Sequence, residues 1–187
     1  MNTPKRYENV NYDDIPEKIK ELLKETLKTR KGIFIHGSVG TGKTHILWAI
    51  DKKLSEIKKQ LLTENKVDDN IRTLFFNTPQ MLHDIRKEYG MKGEGYDTMD
   101  LAKDFGGILF LDDIGAEKLT DWVLETFYLI INARYENMRP TIFTSNLSIA
   151  ELADKIGDRT TSRIVEMCEV YELKGNDRRI LKGSQPK

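Results

Sequence analysis

A chain of 187 residues is long enough to bury one full hydrophobic core, and its 30 lysines and arginines balance its 30 acids at a formal net charge of zero. That balance excludes a protein that coats nucleic acid with general positive charge, so any such contact must be a local patch. One cysteine, Cys168, excludes an internal disulfide, and no apolar run approaches the ~20 residues that span a bilayer.

The first fourteen residues, MNTPKRYENVNYDD, hold no apolar signal core, so a cytoplasmic protein with no membrane partner is expected. Residues 13–30 place Ile15, Ile19, Leu22, Leu23 and Leu27 on one stripe, an amphipathic helix. GIFIHG (32–37) reads as a buried strand. Residues 43–62 read as a helix with Ile46, Leu47, Ile50, Leu54, Ile57 and Leu61 inward and four lysines on its solvated face. IRTLFFN (71–77) is a second strand, followed by a helix with Thr78 as N-cap and Pro79 in the first turn. MKGEGYD is a loop, GILFLDD (107–113) a central strand, and 119–137 a long helix. TIFTSN (141–146) is another strand, SIAELADKIG begins another helix, and EVYEL (169–173) is a last strand; Cys168 reads as a small apolar residue beside it. Strands alternating with helices imply a parallel sheet covered by helices on both faces.

GSVGTGKT, residues Gly37, Ser38, Val39, Gly40, Thr41, Gly42, Lys43 and Thr44, fits G-x-x-x-x-G-K-[ST] between a strand and a helix. Glycines let the backbone turn its N–H groups toward phosphate oxygens, and the next helix adds its positive end. Lys43 would reach the β- and γ-phosphates, and Thr44 would offer its hydroxyl to Mg²⁺. ILFLDDIG ends a buried strand in two acids, at the same sheet edge as the loop. Asp112 would join the Mg²⁺ shell; Asp113 would orient or deprotonate a water attacking the γ-phosphate. The alternative is a pair of surface turn residues. Asn146 ends a third strand and would bridge the γ-phosphate and that water, although Asn also ends strands in plain turns. His36, His45 and His83 have no metal-ligand spacing.

GSVGTGKTH, ILFLDDIGAE, RPTIFTSN and IGDRTTSRI stand in the order found in AAA+ ATPases of the DnaC/DnaI type, the bacterial replicative helicase loaders. The chain resembles that family over residues 7–179, and the IstB-type transposition helper ATPases look similar. The resemblance implies an α/β AAA+ P-loop fold, a five-stranded parallel sheet flanked by helices, without a full C-terminal helical lid. It also implies ATP/ADP and Mg²⁺ as ligands, ATP hydrolysis, and the residue roles above for Lys43, Thr44, Asp112, Asp113 and Asn146. Two departures stand out. Many AAA+ proteins have Glu where this chain has Asp113, one methylene shorter. Only fourteen residues follow the last strand, too few for a separate helical lid; KGNDRR (174–179) matches the short loader ending instead, and there Arg179, or Arg178, would stand in for the lid arginine that touches phosphate; a basic surface turn is the alternative.

Residues 1–180 are expected to form a single ATPase domain and 181–187 a flexible tail, with the helicase-gripping N-terminal domain of such loaders absent or removed. RYENVNYDDIP is expected to flank the adenine pocket. The implied partners are a replicative helicase, single-stranded DNA and further copies of the chain. For the DNA, the family's contacts map to Tyr89, Thr120 and Trp122, with Arg86, Lys87 and Lys118 nearby. Trp122 equally fits the apolar stripe of its helix, and Thr120 is a good N-cap. Arg159 and Arg163, four apart, share a helix face. Ser162-Arg163 matches the family's arginine finger, which implies that Arg163 completes a neighbouring subunit's site in trans with Arg159 beside it; salt bridges to Asp158 or Glu166 are the alternative. Three further functions compete: a transposition helper acting on duplex DNA, a small-molecule P-loop kinase and a non-hydrolysing nucleotide switch. The TSN and GDRTTSR segments argue against the kinase.

Overall fold

The computed structural model describes residues 3–66, 68, 71–88, 97–175 and 177. Five parallel strands form one sheet in the order β2-β3-β4-β1-β5. They are β1 (Gly32–His36), β2 (Thr73–Asn77), β3 (Ile108–Asp112), β4 (Thr141–Ser145) and β5 (Cys168–Glu172). Parallel neighbours need crossovers, and helices supply them: α1 (Glu17–Thr29), α2 (Lys43–Thr63), α3 (Thr78–Glu88), α4 (Thr98–Asp104), α5 (Asp121–Glu136), α6 (Ile149–Ile156) and α7 (Asp158–Met167). Among the described residues no helix follows β5, and none is long and apolar enough to cross a membrane.

Alternation along the strands divides the core in two. Ile33, Ile35, Phe75, Phe110 and Ile142 face α1 and α2; Phe34, Leu109, Leu111 and Phe143 face α3 to α7. Buried on both sides, β1 and β3 read as near-continuous apolar runs, whereas the edge strands β2 and β5 are only partly buried. The N-terminal segment folds as two 3₁₀ turns, Lys5–Tyr7 and Tyr12–Asp14, laid on α2. Tyr7 stacks on Trp48 at 6.0 Å, and Trp48 on Phe75 at 4.2 Å. Lys52 donates to the carbonyls of Glu8 and Val10.

One expectation needs correction. Thr78 is no cap: it lies within α3, and its Oγ1 is buried without a partner. The side-chain acceptor at that end is Asn77, whose Oδ1 receives the Gln80 N–H at 3.3 Å. β2 therefore runs directly into α3. A short helix, α4, follows the loop segment, capped by Asp97. The loop MKGEGYD up to residue 96, Tyr89, Arg178, Arg179 and the 181–187 tail lie outside the described residues.

Registers bring the strand ends to one edge. Asn77 pairs with Asp112 and His36 with Ser145, and the Gly37 N–H donates to the Ser145 carbonyl. The loop after β1, the acids after β3 and the amide after β4 therefore share one rim.

Candidate functional site

The loop between β1 and α2 is shaped by backbone that side-chain-bearing residues rarely adopt. Gly40 has φ 79° and Gly42 has φ 106°. The Asp177 carboxylate rests against the loop at Gly40. Thr41 Oγ1 ties the loop to itself through the Ser38 carbonyl. Helix α2 starts at Lys43, so its first, unpaired N–H groups face the loop's hollow, where an anion gains from both the donors and the helix dipole. The Lys43 ammonium is buried and donates to the carbonyls of Gly37 at 2.6 Å and Ser38 at 2.9 Å.

Thr44, on the first turn of α2, meets Asp112 at the end of β3. Its hydroxyl lies 3.1 and 3.0 Å from the two carboxylate oxygens; having one proton, it shares it between them. Asp112 also accepts from Thr144 Oγ1 at 2.6 Å. Burial pushes the Asp112 carboxyl up, while the Thr144 and Thr44 hydroxyls pull it back. A hydroxyl and a carboxylate within one bond of each other are the hard oxygen donors that Mg²⁺ takes. Among the described residues no three acids, histidines or cysteines cluster to hold a metal alone.

Asp113 adopts a left-handed conformation, φ 63°, uncommon outside glycine. Its N–H donates to Thr144 Oγ1 at 2.9 Å, and its Oδ1 accepts from Asn146 Nδ2 at 2.9 Å. The two residues singled out for water and γ-phosphate are thus in contact with each other. The turn that follows is anchored to α6. Lys155 donates to the Gly115 carbonyl, and Glu117 Oε1 accepts the Gly115 N–H. Desolvation raises the Glu117 carboxyl, with the charge of Lys155 opposing it. Sequence reading missed Thr144, Glu117 and Lys155. Thr144 looks like an ordinary β-branched strand residue, and nothing local marks the other two.

Arg159 and Arg163 share a face of α7, as their spacing predicts, but their partners are aromatic. Arg159 lies 4.8 Å and Arg163 5.1 Å from the Tyr128 ring, and Arg163 is also 5.7 Å from Tyr135. Tyr128 and Tyr135 are seven apart on α5, a spacing that sequence reading overlooked. The salt bridges to Asp158 or Glu166 do not form: among the described residues neither arginine has a carboxylate within ion-pair distance. At the start of α5, Thr120 Oγ1 accepts the Val123 N–H as a true N-cap. Trp122 is half-buried against the second core, and the Arg86 guanidinium sits 4.5 Å over its ring. Lys118 is exposed one turn before.

The model of the IstB-like ATP binding protein family matches residues 4–185. Among solved structures, the DnaC helicase loader is 30% identical, with a TM-score of 0.73 over 91% of this chain and 100% of its own. Among curated proteins, YqaM of Bacillus subtilis (strain 168) is 29% identical over 86% of this chain and 48% of its length. The replicative helicase loader DnaI of the same organism is 28% identical over 65% of this chain and 35% of its length. The chain thus spans about half of these curated relatives, or less.

Proposed function

The chain belongs to the IstB-like ATP-binding protein family, and from that premise we propose that it is an ATP-hydrolysing helicase loader. It assembles as an oligomer on single-stranded DNA and helps place a replicative helicase during DNA replication. The observation that carries the ATPase part is the joint at the sheet edge: Thr44 on Asp112, and Asn146 on Asp113. The first pair would hold Mg²⁺, which neutralises charge on the phosphates when bound. Lys43 leaves its loop carbonyls for the β- and γ-phosphates, and the backbone of residues 37–44 wraps the chain of oxygens. Asp113, held by Asn146, orients and deprotonates the attacking water.

No arginine of the same chain is available from α7 for this step. That helix runs into Cys168, which pairs with Gly32 at the start of β1, so Arg163 lies toward the sheet edge opposite the loop. Arg163 therefore serves a neighbouring copy, with Arg159 at the same boundary. The tyrosines on α5 hold both guanidinium groups without neutralising them, leaving their charge for a phosphate in trans. Trp122 with Arg86, the capped turn at Thr120, and Tyr89 form the reading for single-stranded DNA: a ring for base stacking beside a cation for phosphate. Arg179 is retained as a candidate phosphate contact.

The loader reading is favoured by the 30% identity to the DnaC helicase loader across that whole chain. The family name keeps a second reading open, an IstB-type transposition helper acting on duplex DNA. One set of measurements tests both. ATP turnover is followed with single-stranded, duplex or no DNA, beside a pull-down of replicative helicase with ATP. Turnover that rises with single-stranded DNA, vanishes in Lys43→Ala and falls in Arg163→Ala, with helicase captured, is the expected result. Equal rates with and without single-stranded DNA at assembling concentrations would overturn the loader reading. Filaments on duplex without helicase capture would establish the second.

A further inference from the structure

Thr144 occupies a place that neither acid's role accounts for. The ladder between β3 and β4 pairs Leu111 with Phe143 and then stops. One residue on, the Thr144 side chain takes over the connection. The Asp113 N–H can only donate, so Thr144 Oγ1 accepts it, at 2.9 Å. An ionised carboxylate can only accept, so the single hydroxyl proton goes to Asp112 Oδ1, at 2.6 Å. Both bonds are directed, and the hydroxyl has no freedom to exchange them.

The side chain is 1% exposed, so no bulk solvent substitutes for either partner. It is β-branched and stiff about χ1. Its own carbonyl accepts the Ile114 N–H at 2.9 Å, which fixes the main chain beneath it. The two atoms it grips lie on successive residues with opposite requirements. Asp112 needs a carboxylate held still toward Thr44; Asp113 needs a left-handed backbone held against its own preference.

We propose that Thr144 is the positioning residue of the site: its one hydroxyl sets the orientation of the metal-facing carboxylate and the backbone turn that presents Asp113 to Asn146. This rests on the reading of Asp112 and Asp113 as the metal and water residues. Thr144 touches no substrate; it acts through the two acids. Removing the hydroxyl should therefore loosen metal binding and slow turnover together, while leaving the phosphate loop's grip on nucleotide intact.

The test uses the full chain with Thr144→Val and Thr144→Ser. ADP affinity is measured without metal, Mn²⁺ affinity of the ADP complex by electron paramagnetic resonance, and ATP turnover at saturation. Thr144→Val should keep metal-free ADP affinity within about 2-fold, weaken Mn²⁺ about 10-fold and lower kcat about 10-fold with KM little changed, the scale for losing an orienting partner of a metal ligand. Thr144→Ser, which keeps the hydroxyl, should recover both within about 3-fold. Should Thr144→Val not fold, Thr144→Ala is read the same way. Parent-like Mn²⁺ binding and turnover in the variant lacking the hydroxyl would overturn the proposal. So would a Ser variant as impaired as the Val one, since the hydroxyl would then not be the cause. Asp112→Asn separates the two levels. If it keeps Mn²⁺ affinity, the metal reading itself fails. If it loses that affinity while Thr144→Val does not, only the role of Thr144 falls.

Discussion

The two edges of the sheet both bury charge and treat it differently. At the edge opposite the loop, Arg134 is fully buried, and all five of its N–H groups are used. They reach Thr141 Oγ1 at 2.7 Å and the carbonyls of Ala102, Phe105, Gly107 and Pro140 at 2.9–3.4 Å. Burial lowers its pKa to about 9, which still leaves it charged at neutral pH. Arg30 and Arg139 join the same turns, donating to Met138 and Gly106 and to Asp104. A cavity of about 650 Å³ lies beside them, yet its cations are already spoken for: Lys31 bonds Glu169 and Arg139 bonds Asp104. At the loop edge, Asp112 has only two hydroxyls for four lone-pair directions, and Lys43 rests on two loop carbonyls, Gly37 and Ser38. A saturated buried charge is a rivet. One held with acceptor capacity to spare has room for a ligand.

The rivet should fail hardest. Arg134→Leu strips four carbonyls of their donor, three of them in buried bonds, costing about 4 kcal/mol and lowering the melting temperature by about 10 °C. Nucleotide affinity of the protein that remains folded should not change. A loss below about 1 kcal/mol in urea unfolding would mean the opposite edge is not a rivet. Lys43→Met should do the reverse: on the order of 100-fold weaker ATP binding, about 3 kcal/mol, with little change in unfolding.

The comparison also predicts a sign. Burial raises the Asp112 carboxyl, so the native chain binds more protons there than the unfolded chain does. The contribution of Asp112 to stability therefore falls as pH rises through that window, from the ordinary carboxylate range upward. Asp112→Asn escapes this cost. It should stabilise the metal-free protein at pH 7 by about 1 kcal/mol, and thermal scans from pH 4 to 7 should show the gain growing with pH. A flat difference, or a destabilised variant, would show that Asp112 is as satisfied as Arg134.

What could be read beforehand followed from periodicity and from motifs whose chemistry is local. The five strands, the loop and the acids at the end of GILFLDD are runs of neighbouring residues, and neighbours are visible in a sequence. Contacts between elements were not. The arginine pair was legible as a pair, but its resting place on Tyr128 and Tyr135 depends on how α5 crosses α7. Thr144 gives no sign in TIFTSN that it reaches across to β3. Helix α4 buries only Ala102 along its seven residues, too little for a period to register.

The cap before α3 is the smallest effect and shows how far the division between edges holds. Asn77 ends β2 directly opposite Asp112, at the functional rim, and yet its Oδ1 is spent on the Gln80 N–H. Thr78, which composition favours as the cap, buries a hydroxyl with no partner. Asn77→Ala should then cost about 1 kcal/mol. Thr78→Val should be neutral or slightly stabilising, because it removes an unsatisfied polar atom at nearly constant shape. Thermal unfolding of the two variants separates these outcomes. If Asn77→Ala instead leaves stability alone and lowers ATP turnover, Asn77 belongs with the acids it faces, and the loop edge has no purely structural polar residue at that strand end.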